Sequence, residues 1–238
     1  MSAARTAIVV GASRGIGLEF ARQLAARGDR VVAGCRDAAA AAAALAALGG
    51  DVAVAQIDLR DEASCEAFAA EAARLAGGHV DLLICSAAVF DTLATNLLGG
   101  VTQAALLDAF RVNAAGPILV AQALRRAGAL GGARPSLIAN VSSTAGSLEN
   151  AREGGSYYVY RASKAALNVM TRSLAVDLKK ENVAATLLHP GLVRTDFTGG
   201  RGEIDAKESV AGMLSVLARP AAELSGAWFD YKGAPVAW

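Results

Sequence analysis

Short β-branched runs alternate with longer helical runs along nearly the whole chain, and that alternation limits the architectures open to it. Strand-like segments fall at 6–10, 30–35, 51–57, 80–86, 136–142, 183–188 and 226–231. Between them, apolar residues recur at helical spacing over 15–27, 38–47, 62–76, 102–127, a long stretch opening near Tyr157, and 205–217. Gly116-Pro117 is expected to interrupt the fourth of these helices. The pattern implies right-handed βαβ crossovers, hence an α/β fold: a doubly wound parallel sheet of about seven strands with helices on both faces. No repeat or linker divides the chain, and its 238 residues can share one core, so 1–238 is expected to be a single domain. A ligand belongs beyond the carboxyl ends of the strands, where their order reverses.

The residues at those ends carry the chemistry. After the first strand comes Gly11-Ala12-Ser13-Arg14-Gly15-Ile16-Gly17. Glycines allow a tight turn and let a pyrophosphate approach a helix N-terminus, where unpaired N–H groups and the dipole favour an anion. The spacing is Gly-x-x-x-Gly-x-Gly rather than the dinucleotide fingerprint Gly-x-Gly-x-x-Gly. A carboxylate ending the second strand would bind a ribose 2′-hydroxyl, whereas an arginine suits a 2′-phosphate. Here that strand ends Cys35-Arg36, and Arg14 can reach the same phosphate. The cofactor expected is therefore NADP(H) rather than NAD(H). Asp58, closing the third strand, can either accept from an adenine amino group or cap the next turn.

Tyr160 and Lys164 stand four apart at the start of a helical run, on one face. A phenol with a pKa of ~10 is a poor acid–base group at neutral pH, and bringing it near 7 takes roughly 4 kcal/mol. The Lys164 ammonium is expected to supply that by favouring the phenolate.

Together these motifs give a chain that resembles the short-chain dehydrogenases/reductases, a family with a Rossmann-type sheet, over nearly its whole length. The glycine turn is similar to the family's cofactor turn, with Val10 where a threonine is usual. Tyr160 and Lys164 match its catalytic pair; Ser143, in Asn140-Val141-Ser142-Ser143, matches its catalytic serine; Asn113 matches its helix asparagine. Pro190-Gly191-Leu192-Val193-Arg194-Thr195 matches the loop over the nicotinamide. The resemblance implies that Gly11, Ser13, Arg14, Gly15, Ile16, Gly17, Arg36, Asp58, Leu59, Ser86, Ala87, Tyr160, Lys164, Pro190, Gly191, Val193 and Thr195 bind the cofactor. It also implies the roles: Tyr160 the proton donor, Ser143 the holder of the carbonyl oxygen, Lys164 the group tuning Tyr160, and Asn113 the holder of a relay water. One segment departs from the family. The fourth strand ends Cys85-Ser86-Ala87-Ala88 where Asn-Asn-Ala-Gly is usual, which would strain Ala88 if it must take φ > 0.

Within the family, Gly154-Gly155-Ser156-Tyr157-Tyr158-Val159-Tyr160-Arg161 and Trp228-Phe229-Asp230-Tyr231 resemble C-factor-like and sniffer-type carbonyl reductases. The implied function is NADP(H)-dependent reduction of a small aldehyde or ketone. Val89, Phe90, Leu148, Leu192 and Phe197 are expected to line the pocket, and 195–205 to form a glycine-hinged lid. Two alternatives stay open: an NADP(H)-binding signalling or sensor protein with little turnover, and a 3-oxoacyl-carrier-protein-type reductase with Arg152, Arg161, Arg194 and Arg201 as a basic patch. A homodimer or homotetramer through the long helices is implied as well. A net charge of +1 argues against a nucleic-acid surface. Cys35, Cys65 and Cys85 have neither disulfide nor metal spacing, which points to no metal and to the cytoplasm. No apolar segment is expected to span a membrane. His79 and His189 are read as structural.

Overall fold

The computed structural model describes residues 4–151 and 156–238. In chain order the elements are β1 (Thr6–Val10), α1 (Gly15–Ala26), β2 (Arg30–Cys35), α2 (Ala38–Ala46), β3 (Val52–Gln56), α3 (Glu62–Leu75) and β4 (Leu82–Cys85). Then come α4 (Gln103–Phe110), α5 (Gly116–Arg126), β5 (Ser136–Val141), α6 (Tyr158–Asp177), β6 (Val183–His189), α7 (Ala206–Val216), α8 (Ala221–Leu224) and β7 (Trp228–Asp230). The seven strands form one parallel sheet in the order β3-β2-β1-β4-β5-β6-β7. The expected fold class is borne out.

The sheet is buried on both faces, so its strands read as apolar runs rather than as alternations. Successive side chains of β1 go to opposite layers: Ile8 and Val10 pack with α3, α5 and α6, while Ala7 and Val9 pack with α1, α2 and α7. Strand order reverses between β1, whose Ile8 pairs with Val32, and β4, whose Leu83 pairs with the same Ile8. That opens a crevice at their carboxyl ends.

The fourth helical run is interrupted upstream of the expected place. Arg111–Ala115 is a single π-helical turn joining α4 to α5, the kind of local widening that recurs at functional sites. Pro117 follows inside the first turn of α5, where a missing N–H is tolerated. The continuous helical span Gln103–Arg126 is long and apolar enough to cross a membrane by length and composition, with an 18-residue window of mean hydropathy 1.4. Here its apolar side is used inside the fold, with Val112, Val120, Ala121 and Leu124 buried.

Candidate active site

At the crevice the chain passes from β1 into α1 through the glycine turn. Gly11 has φ +89°, and a Cβ on it would lie 2.6 Å from the Ala87 nitrogen. A Cβ on Gly17 would lie 2.0 Å from the Gly11 carbonyl oxygen, so only glycine lets α1 settle this close to the strand end. Arg14 precedes the helix in extended conformation, and no side chain caps the α1 N–H groups. Those orphan donors face the crevice and suit an anion.

The predicted cofactor residues converge. A cleft of about 490 Å³ is lined by all seventeen, from Gly11 to Thr195, together with Ser143. Arg14 and Arg36 both line it, with the Arg14 guanidinium 3.9 Å from the exposed Asp196 carboxylate. Asp37 does not compete with them, because its Oδ1 accepts the Ala40 N–H at 2.9 Å and caps α2. Asp58 serves its own turn, accepting from the Arg60 N–H at 3.0 Å, while still lining the cleft. The crevice thus fits a dinucleotide: uncapped N–H groups at the turn, a wall no Cβ can enter, and guanidiniums without a carboxylate rival at β2. The strained Ala88 does not materialise. Ser86 and Ala87 both donate to the Val10 carbonyl, at 2.9 and 3.1 Å, and Ala88 is not among the residues with positive φ.

Tyr160 and Lys164 stand on α6 across from Ser143, which follows β5. Lys164 is buried, and its Nζ donates to the Val141 carbonyl at 2.8 Å and lies 5.8 Å from the Tyr160 ring centre. Burial pushes Lys164 down to about 8. The expected depression of Tyr160 is not found: burial pushes the phenol up to about 12, and hydrogen bonding with Ser143 only partly offsets it. At neutral pH the group is a phenol ready to donate.

Asn168, one turn beyond Lys164, grips the Ser143 segment on both sides. It accepts from Ser142 Oγ at 2.6 Å and donates to the Gly146 carbonyl at 3.3 Å. Its four-residue spacing from Lys164 was a signal available in the sequence. Asn113 lies in the π-helical turn and does not line the cleft. Its side chain is fully engaged, accepting from Val89 N–H at 2.7 Å and donating to the Val89 carbonyl and Ser163 Oγ at 2.9 and 3.0 Å. Pro117, four residues on, has no N–H to donate to the Asn113 main-chain carbonyl.

Phe90 and Phe197 set their rings 5.7 and 5.8 Å from that of Tyr160, and Tyr157 closes on Phe90 at 5.9 Å. Val89, Leu192 and Phe197 line the cleft as expected. Phe90 and Leu148 instead lie outside it, Leu148 being 79% exposed. The 195–205 segment folds over as a short turn, Asp196–Thr198, and Val193 bridges Ile204. His189 lines the cleft with its Nδ1 unpartnered, and burial pushes it down to about 4, so it is neutral. Of the supposed basic patch, Arg161, Arg194 and Arg201 are engaged locally on the carbonyls of Ser147, Gly202 and Thr198, while Arg152, like Gly154 and Gly155, lies outside the described residues. Cys35 and Cys65 are pushed up by burial to about 11 and Cys85 to about 12, which leaves all three as inert thiols.

Comparison with known proteins adds a lineage to this geometry. Residues 5–205 match the family model described as short chain dehydrogenase. The chain is 41% identical to C-signal of Myxococcus xanthus over 161 residues, which cover 68% of this chain and 94% of that protein. It is 32% identical to 1-hydroxy-2-glutathionyl-2-methyl-3-butene dehydrogenase of Rhodococcus sp. (strain AD45), covering 98% and 99% of the two chains. Among solved structures it resembles NADPH-bound carbonyl reductase from chicken fatty liver, with TM-score 0.88, 33% identity and 99% of each chain covered.

Proposed function

We propose, given that this chain belongs to the short-chain dehydrogenase/reductase family, that it is an NADP(H)-dependent reductase of small aldehydes or ketones. The observation that carries this is the convergence of Tyr160, Lys164 and Ser143 on one cleft that Arg14 and Arg36 also line. When bound, NADPH supplies the hydride that the carbonyl carbon receives.

The residues do the rest. Ser143 donates a hydrogen bond to the carbonyl oxygen, which stabilises the charge developing there. Tyr160, protonated at neutral pH, gives its proton to that oxygen, and an alcohol results. The Lys164 ammonium, held by the Val141 carbonyl, stabilises the phenolate left behind and hands it a proton through solvent. The Asn113 main-chain carbonyl orients the water that completes the relay. Phe90, Phe197 and Tyr157 form an aromatic wall that keeps bulk water off the phenol and favours apolar substrates. Small-molecule substrate and a self-assembled oligomer follow from the same family membership.

Fluorescence titration with NADPH and NADH, followed by cofactor absorbance over a panel of aldehydes and ketones, tests the proposal. NADPH is expected to bind at least about tenfold more tightly than NADH. The double variant Arg14→Ala/Arg36→Ala is expected to erase that preference, weakening NADPH by roughly 10²-fold with NADH little changed. Equal loss for both nucleotides would show that the arginines do not read the 2′-phosphate.

The identity to C-signal favours one second reading, a signalling protein that uses NADP(H) as a ligand. Tight NADPH binding with no turnover on any carbonyl of the panel is its expected signature.

A further inference from the structure

Helix α6 carries Tyr160 in its first turn but does not cap itself. Its N-cap residue, Tyr157, is in the left-handed region (φ 56°, ψ 32°) and makes no side-chain cap. Ser156 before it also has positive φ, 94°. Two non-glycine residues in such conformations mark a chain entry imposed by tertiary contacts, not by local preference. An uncapped first turn normally leaves its N–H groups to water or to disorder.

One of those N–H groups belongs to Tyr160 itself, the third residue of the helix. It donates to Oδ1 of Asn96 at 3.0 Å. That is the position at which an N-cap side chain ordinarily binds, yet Asn96 lies 64 residues earlier, in the segment after β4. Asn96 is fully buried, and its Nδ2 donates to the Thr92 carbonyl at 2.9 Å, so neither end of the amide is free to swing. Thr92 and Thr95 close the turn around it through the Thr95 Oγ1 donation to the Thr92 carbonyl, 2.9 Å, and the Thr95 N–H donation to Thr92 Oγ1, 3.2 Å. The same segment begins at Val89, which Asn113 clamps, and bears Phe90 against the Tyr160 ring. Main chain and ring of Tyr160 are therefore both referenced to residues 89–96.

We propose that Asn96 is a positioning residue for Tyr160, a helix cap supplied from a distant segment that fixes where the phenol stands relative to Ser143. The inference rests on Tyr160 being the proton donor. Proton transfer depends steeply on geometry, and a misplacement of about 1 Å costs on the order of 10²-fold. Losing the cap frees the first turn of α6 without touching the cofactor end of the cleft. Turnover is then sensitive to Asn96 while nucleotide binding is not.

The test compares wild type, Asn96→Ala, Asn96→Asp and Tyr160→Phe by steady-state carbonyl reduction with NADPH, NADPH titration and solvent isotope effect. Asn96→Ala is expected to lower kcat by roughly 10- to 100-fold, with NADPH affinity held within about twofold. Its solvent isotope effect should rise, because proton transfer becomes more rate-limiting. Asn96→Asp keeps the acceptor oxygen but can replace the donation to the Thr92 carbonyl only when protonated, so it is expected to recover kcat as pH is lowered and the carboxyl takes up its proton. If Asn96→Ala does not fold, Asn96→Ser, whose hydroxyl falls short of the Tyr160 N–H, takes its place. A folded Ala or Ser variant with wild-type kcat and isotope effect overturns the proposal, and so does an Asp variant as slow as the Ala variant at every pH. A fully active Tyr160→Phe overturns instead the assignment of the proton donor, whatever the Asn96 variants do.

Discussion

Tyr160→Phe is expected to lower turnover of carbonyl reduction by roughly 10²- to 10⁴-fold, the span of a positioned acid, while NADPH binds within about twofold of wild type. The substitution removes one oxygen and leaves the ring packed against Phe90 and Phe197. The half-buried phenol is pushed up to about 12, so removing its hydroxyl also removes a partly desolvated polar group, and the fold should not suffer. Parallel kinetics and titration separate the two effects. A variant that turns over at half the wild-type rate would exclude Tyr160 as the proton donor.

Lys164→Met should move activity and stability in opposite directions. Lys164 is 2% exposed, forms no ion pair among the described residues, and has the Val141 carbonyl at 2.8 Å. Its shift from 10.5 to about 8 corresponds to roughly 3 kcal/mol of destabilisation at neutral pH. Methionine fills similar space without charge, and leaving the Val141 carbonyl without its donor costs about 1–3 kcal/mol. A melting temperature equal to wild type or raised by a few degrees follows at pH 7, with reduction slowed by at least about 10²-fold.

The pH dependence has a definite sign. A lysine whose folded pKa is depressed binds fewer protons in the folded state between the two values, so wild-type stability recovers as pH rises from about 8 toward 10.5. The advantage of Lys164→Met is therefore greatest below pH 8 and fades above it. Wild-type reduction should fall as pH passes about 8, where the ammonium is lost, well before Tyr160 titrates at about 12. Thermal melts of both proteins at pH 7 and 10 decide it: a variant clearly less stable than wild type at pH 7, by a margin that does not grow at pH 10, would contradict the assigned cost.

What the sequence reveals depends on how local the cause is. Strands β1 and β2 can be read to the residue, because a charged or polar residue opens each and a glycine turn or arginine closes it. β4 reads as 80–86 but pairs only over Leu82–Cys85, since partners on both sides decide where a ladder stops. The Gly-x-x-x-Gly-x-Gly turn and the Tyr160–Lys164 spacing are local, and both land in the cleft. The π-helical turn at Arg111–Ala115 has no comparable local signature. Nor does the Asn96 cap, whose two ends are far apart in sequence. The Tyr160 pKa runs against its spacing, because spacing reports the neighbouring ammonium and is silent about burial. Ala88 reads as strained only if its glycine-like conformation is assumed, and the chain does not adopt it.

The place where strand order reverses also bears on how the chain reaches its native state. β1 takes β2 as one neighbour soon after it is made, but Ile8 waits for Leu83 before its other side is covered. Gly11 likewise meets Ala87 only then. Such sequence-distant pairings slow folding, and here they also build the cleft itself. No half-formed intermediate with β1 and β2 alone offers the site. A ligand held there binds only the folded state and stabilises it by RT ln(1 + L/Kd), where L is the free ligand concentration, so the abundance of that ligand becomes a determinant of how long the chain survives.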